Sequence, residues 1–171
     1  MDTLKSRIRS VPDFPKPGIL FYDITTLLRD GAGFRTMLDD LSAPYRGKGI
    51  SLVVGIESRG FILGAAVADR LGAGFCPIRK PGKLPAQTIQ ESFQLEYGSD
   101  AIEIHKDAID AGQRVLIVDD VLATGGTARA AARLVKRLGG DLHGLAFLIE
   151  LLALGGRKQL VGEEVFSLLT Y

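Results

Sequence analysis

The chain has 171 residues, 46% of them apolar, enough for one domain that buries about 70% of the surface its unfolded form exposes. Lysine and arginine number 21 against 20 aspartates and glutamates, a net charge of +1. No broad positive field therefore recruits nucleic acid or an anionic membrane, and anion binding must come from local placement. The single Cys76 excludes an internal disulfide, suits a reducing cytosol, and in GFCPI reads as a buried strand residue rather than a nucleophile. The opening MDTLKSRIRS lacks the apolar core of a signal peptide. The most apolar region, Leu145 to Leu154, is interrupted by Glu150 and too short to span a bilayer, so a soluble cytoplasmic protein is expected.

In chain order, a short helix is expected around Leu4 to Ile8. Pro12, Pro15 and Pro17 then leave the segment irregular, and Gly18 releases it into Ile19 to Ile24. From the residues alone this arm is either simple packing or a cover for a ligand. Phe34, Met37, Leu38 and Leu41 share a helical face that ends before Pro44. Ser51 to Ile56 reads as a strand with Glu57, Ser58, Arg59 and Gly60 as its exit turn. A helix from Phe61 to Leu71, stopped by Gly72, leads to a strand through Ile78. Arg79 to Gln90 holds three cations, two prolines and a glycine, either a solvated hairpin loop or a mobile lid whose Lys80 and Lys83 close over an anion. The chain returns through Ser92 to Tyr97.

His105, in the alternating IEIHKD, belongs to an edge strand, and His143 opens a strand to Ile149; neither needs a catalytic explanation. Leu151 to Leu160 reads as helix-like and Val165 to Leu169 as a final strand. Strands and helices in alternation predict an α/β domain with a mainly parallel sheet flanked by helices.

The most informative stretch is Val115 to Thr127, VLIVDDVLATGGT. Four apolar residues, three of them β-branched, suit a strand buried on both faces, which stops at Asp119 and Asp120. Gly125 and Gly126 follow, flanked by Thr124 and Thr127. Ala131, Leu134, Val135 and Leu138 then mark one face of a helix closed by Gly139 and Gly140. A small-residue loop entering a helix presents free amides where the helix dipole favours negative charge, so Ala123 to Thr127 reads as a phosphate cradle. It matches neither GxxxxGK[ST] nor GxGxxG. Carboxylates repel phosphate, so the two aspartates face another part of the ligand: ribose hydroxyls, metal-bound water, or positive charge developing on a sugar. Read alone, the pair also fits a strand end that caps a turn.

These residues resemble the PRPP (5-phosphoribosyl 1-diphosphate) signature of the type I phosphoribosyltransferases, and the ATGGT ending resembles the adenine-specific branch. PDFPKPGILFYDIT at 12 to 25, GIESRGF at 55 to 61, RKPGKLP at 79 to 85, LEYG at 95 to 98 and FSLL at 166 to 169 resemble that branch in the same order, covering nearly the whole chain. The resemblance implies the type I phosphoribosyltransferase fold in a single domain, residues 1–171. Residues 1–30 would form a hood over the purine and residues 79–97 the flexible catalytic loop with its flanking strands.

It further implies transfer of phosphoribose from PRPP to adenine, giving AMP and diphosphate for purine salvage, with Mg2+ held mainly by PRPP and water, in a cytoplasmic homodimer. PRPP would be bound by Ser58, Arg59, Arg79, Lys80, Lys83, Asp119, Asp120, Ala123, Thr124, Gly125, Gly126 and Thr127. Arg59, Asp119, Asp120 and Glu96 would serve the chemistry, with Glu96 managing the adenine ring proton. Leu20, Phe21 and Tyr22 would hold adenine, Phe21 by stacking. A transferase for another base, or a PRPP-binding regulator, are the alternatives that the residues leave. Two positions depart from the common pattern, which often has Asp at Glu57 and Arg at Tyr22. Tyr22→Arg is expected to leave turnover intact and to change the Michaelis constant for adenine by less than about tenfold in steady-state assays, because one edge contact alters binding more than chemistry.

Overall fold

The computed structural model describes residues 2–94 and 98–171, which divide into two compact units with the boundary after Asp40. In the first unit, α1 (Asp2–Lys5) leads into β1 (Arg9–Pro12), which pairs antiparallel with β2 (Leu20–Asp23), Val11 lying opposite Phe21. The proline-rich segment is therefore a hairpin loop rather than an irregular arm. Gly18, at φ 86°, donates its amide to Asp13 Oδ1 at 2.8 Å and closes that loop. The first helix is shorter than the expected Leu4 to Ile8, because the chain enters β1 at Arg9. Next come α2 (Thr25–Leu28) and α3 (Gly31–Ser42), with Met37, Leu38 and Leu41 buried as their spacing predicts.

The second unit contains β3 (Leu52–Ile56), α4 (Arg59–Leu71), β4 (Gly74–Ile78), β5 (Thr88–Gln94), β6 (Ser99–His105), β7 (Arg114–Leu122), α5 (Gly126–Arg137), β8 (Asp141–Glu150) and β9 (Val165–Thr170). Five strands form one parallel sheet in the order β4-β3-β7-β8-β9. The chain runs outward through α4 in one direction from β3 and through α5 in the other from β7. Right-handed crossovers then place the two helices on opposite faces and open a crevice between β3 and β7.

Leu63 and Val67 of α4, and Ala131, Leu134 and Val135 of α5, supply the buried faces; Leu138 lies just past the last turn of α5. Gly72, at φ 65°, ends α4 as expected. The antiparallel hairpin β5–β6 adds Ile102 and Ile104 to the core beside α5, with Ile89 and Phe93 packed against them. Strand pairing starts at Thr88, so the loop after Arg79 is shorter than the expected Arg79 to Gln90.

Two local details differ from the sequence expectation. His143 is the extra residue of a bulge in β8, since Val115 pairs with Leu142 and Leu116 with Gly144. Leu151 to Leu160 forms two 3-10 turns, Leu152–Leu154 and Gly156–Leu160, because Gly155 between them takes a left-handed φ of 64° that interrupts the helical path. Leu134 is fully buried where α5 meets the sheet. Leu134→Ala should cost about 2–5 kcal/mol in urea unfolding, the usual range for a buried leucine truncated in place.

Candidate active site

Strand β7 does not stop at the acidic pair, as its sequence suggests, but runs on to Leu122. Its pairing with β3 ends at Val118, whereas its pairing with β8 continues through Asp119–Phe147 and Leu122–Glu150. Asp119 and Asp120 therefore stand where β7 outruns β3, at the mouth of the crevice.

Across that gap, β3 leads into Glu57 and Ser58, joined by a cis peptide, and α4 begins at Arg59 without a side-chain cap. Gly60 brings this turn hard against β7: a Cβ there would lie 2.7 Å from Asp119 Oδ1 and 3.1 Å from the Val118 carbonyl oxygen. Asp120 is 6% exposed and accepts a short hydrogen bond from Arg59 Nε. Its own amide donates to Asp119 Oδ1 at 2.9 Å. Burial, reinforced by the neighbouring Asp120 charge, pushes the Asp119 carboxyl well above the usual carboxylate range.

The cradle follows at once. Gly125 takes a left-handed φ of 87° as N-cap of α5, with no side chain satisfying the first-turn amides. Asp119 and Val121 through Ala128 enclose a cavity of about 90 Å³. A second cavity, about 330 Å³, is lined by Glu57, Ser58, Arg59, Lys80, Asp119, Asp120 and Thr127 among others. Asp119, Val121 and Thr127 belong to both, so the smaller cavity adjoins the one bearing Arg59 and Lys80.

The basic segment after β4 is held by carboxylates that the sequence reading did not single out as partners. Glu57 Oε2 accepts from the Lys80 amide at 2.8 Å and from Arg79 Nε at 3.3 Å, and these bonds hold its carboxyl below the usual range. Lys80 pairs with Asp100. Buried Glu103 accepts from the Gly82 amide at 3.1 Å and from Thr88 Oγ1 at 3.2 Å, fixing the turn. Lys83 is exposed and its carbonyl accepts weakly from Arg79 at 3.5 Å. Neither Arg79 nor Lys83 lines the two cavities. The one signal for Glu103 was a carboxylate set between Ile102 and Ile104.

Leu20, Phe21 and Tyr22 form β2 of the first unit, where Phe14 meets Phe21 edge-on with ring centroids 5.1 Å apart. Glu96 lies outside the described residues. Cys76 is buried, which pushes its thiol up to about 11 and leaves it inert. His105 ends β6 and accepts from the Ala86 amide at 3.3 Å.

A model of the phosphoribosyl transferase domain matches residues 30–164, most of the chain and all of the crevice. The chain belongs to the phosphoribosyltransferase family. It is 61% identical over 171 residues to the adenine phosphoribosyltransferase of Solibacter usitatus, covering 100% of this chain and 99% of that one. The crystal structure of adenine phosphoribosyltransferase from Rhodothermus marinus superposes with a TM-score of 0.95 at 57% identity, covering 99% of this chain and 97% of that chain. That from Saccharomyces cerevisiae, complexed with an imino-altritol bisphosphate and adenine, gives 0.92 at 42% identity, covering 98% and 97%. The fold expected from the resemblance is the one observed. In the described residues no helix is long and apolar enough to cross a membrane.

The raised Asp119 fixes a sign for stability. Below the unfolded value of about 3.9 both states are protonated and the residue has no effect. As pH rises the unfolded chain ionises first, so the folded state loses about 1.4 kcal/mol per pH unit until the folded carboxyl also ionises. Asp119→Asn should therefore melt at the same temperature as the parent near pH 3.5 and at a higher one at pH 7, by differential scanning calorimetry across that range.

Proposed function

We infer that the protein transfers the 5-phosphoribosyl group of PRPP to adenine, giving AMP and diphosphate, in keeping with its high identity to adenine phosphoribosyltransferases. The observation that carries this is Asp119 lining both cavities, so that one carboxyl separates a phosphate-sized cradle from an arginine- and lysine-bearing chamber. A ribose carrying phosphate at one end and diphosphate at the other has that distribution of charge.

Breaking the bond from C1 to the diphosphate oxygen before the bond to the base nitrogen is complete leaves positive charge on the ring. In our reading Ala123, Thr124, Gly125, Gly126 and Thr127 hold the 5′-phosphate, and Asp119 and Asp120 hold the ribose hydroxyls and favour the cation. Ser58, Arg59, Arg79, Lys80 and Lys83 receive the departing diphosphate, arginine contributing a planar fork of donors. Positioning of this kind is worth about 7–11 kcal/mol in ideal cases. Water competes for the cation, so residues 79–97 act as a lid, and Glu96 manages the proton on adenine as general base, typically worth about 10²–10⁴-fold. Leu20, Phe21 and Tyr22 in the hood, residues 1–30, choose the base.

Two carboxylates are hard oxygen donors suited to Mg2+, and the described residues contain no group of three metal-binding side chains. An ion here would be held mainly by PRPP oxygens and water, with Asp119 and Asp120 near enough to accept from its bound water. Bound there, Mg2+ supplies charge neutralisation for the diphosphate. We further propose one functional domain over residues 1–171 and a cytoplasmic homodimer, on the strength of the family resemblance.

Diphosphate release from PRPP and Mg2+ should depend on adenine within a panel of adenine, hypoxanthine, guanine, xanthine and orotate. The Asp119→Asn/Asp120→Asn variant should fall by about 10²–10³-fold or more. PRPP binding without transfer to any base would overturn the reading.

A further inference from the structure

Gly156 lies about thirty residues after the cradle in sequence but directly against it in space. A Cβ on Gly156 would overlap the Ala123 carbonyl oxygen and come within 3.0 Å of the Gly125 nitrogen, and a Cβ on Gly125 would overlap the Gly156 carbonyl oxygen. Two backbone segments therefore touch with no side chain between them, which only glycine at both positions allows. Gly156 is buried and does not line the 90 Å³ cavity enclosed by the loop, so it supports the cradle from outside that cavity.

The turn that carries Gly156 is itself tied down. Arg157 donates from Nε to Glu150 Oε1 at 3.0 Å and from Nη2 to Glu150 Oε2 at 2.5 Å, a two-pronged grip. The same guanidinium reaches the Val165 carbonyl oxygen at 2.8 Å and Ser167 Oγ at 3.4 Å on β9. Glu150 is 4% exposed and pairs across strands with Leu122, the residue immediately before the cradle. The Leu151 amide donates to the Leu122 carbonyl oxygen at 3.0 Å. On the far side Gln159 Oε1 accepts from Arg129 Nη1 at 2.9 Å, while the Arg129 amide donates to the Gly125 carbonyl oxygen at 2.9 Å. The 3-10 turn Gly156–Leu160 is thus joined to both ends of the loop.

We propose that the Glu150–Arg157 pair is a positioning element for the phosphate cradle: it sets the Gly156 turn against Ala123–Gly125 and so holds the loop amides in the arrangement that accepts a phosphate group. The inference rests on the reading of that loop as the 5′-phosphate site. No atom of Glu150, Arg157 or Gly156 need touch substrate. Arginine bonds hold the Glu150 carboxyl below the usual range, so the pair stays ionised through neutral pH. A carboxylate this enclosed is costly to leave unpaired, and misplacing a bound group by about 1 Å costs about a hundredfold.

Binding of ribose 5-phosphate and of diphosphate to the whole protein, measured separately by calorimetry, distinguishes positioning from general damage. Gly156→Ala and Glu150→Gln should weaken ribose 5-phosphate by about tenfold or more and leave diphosphate within about twofold. In the assay this appears as a raised Michaelis constant for PRPP. Arg157→Lys, which keeps the charge but loses the fork, should fall between parent and Glu150→Gln, and it carries the comparison if Glu150→Gln does not fold. Equal losses for both ligands, or unchanged ribose 5-phosphate binding in Gly156→Ala, overturn the proposal. A Thr127→Val control keeps the premise separate: if it leaves ribose 5-phosphate binding unchanged, the loop assignment itself fails; if it weakens binding while Gly156→Ala does not, only the positioning role fails.

Discussion

The extension of β7 beyond its pairing with β3 is the constraint on which the site depends. Because Val118 is the last residue paired to β3, Asp119 and Asp120 leave the sheet on one side, while Phe147 opposite Asp119 and Glu150 opposite Leu122 keep the strand in register on the other. Two carboxylates are thereby fixed beside each other with little water around them, and one of them resists ionisation. A stable interior would not place them so. Their arrangement is costly for folding, and strongly shifted carboxyls in a crevice mark a candidate functional site.

A second theme is that several cations at and beside the crevice are paired with carboxylates. Arg59 meets Asp120, Arg79 meets Glu57, and Lys80 meets Asp100. In each pair the cation keeps part of its side chain in solvent while the carboxylate is the more covered partner, so the carboxylates fix where the long side chains lie. The chain reaches a net charge of +1 in this way and yet concentrates positive groups where the crevice opens.

Close backbone approach is the third. Gly60 lets the start of α4 touch the strand that carries Asp119, and Gly125 and Gly156 let the cradle rest on the turn after β8. In both places a loop lining the crevice is braced by main chain, which has fewer ways to relax than side chains do.

Much of this was legible in the sequence. The period of Ala131, Leu134 and Val135 fixed α5, the apolar run fixed β7, and the glycines between them marked a cradle, because each signal is local and set by backbone geometry. The β1–β2 hairpin was not legible, since prolines state where a helix cannot run but not which segment pairs with which. Nor was the split of Leu151 to Leu160 at Gly155, whose left-handed φ overrides an apolar pattern. The partners of Glu57, Lys80 and Glu150 lie 7 to 23 residues away, and no spacing rule links a charge to its counter-charge over that distance. By itself the sequence determined the α/β class, the family resemblance and the local strand–loop–helix shape around Gly125 and Gly126. Only the tertiary structure decided that Asp119 joins two cavities and that Gly156 underlies the cradle, because such contacts arise from strand register and chain crossing rather than from neighbours in the chain.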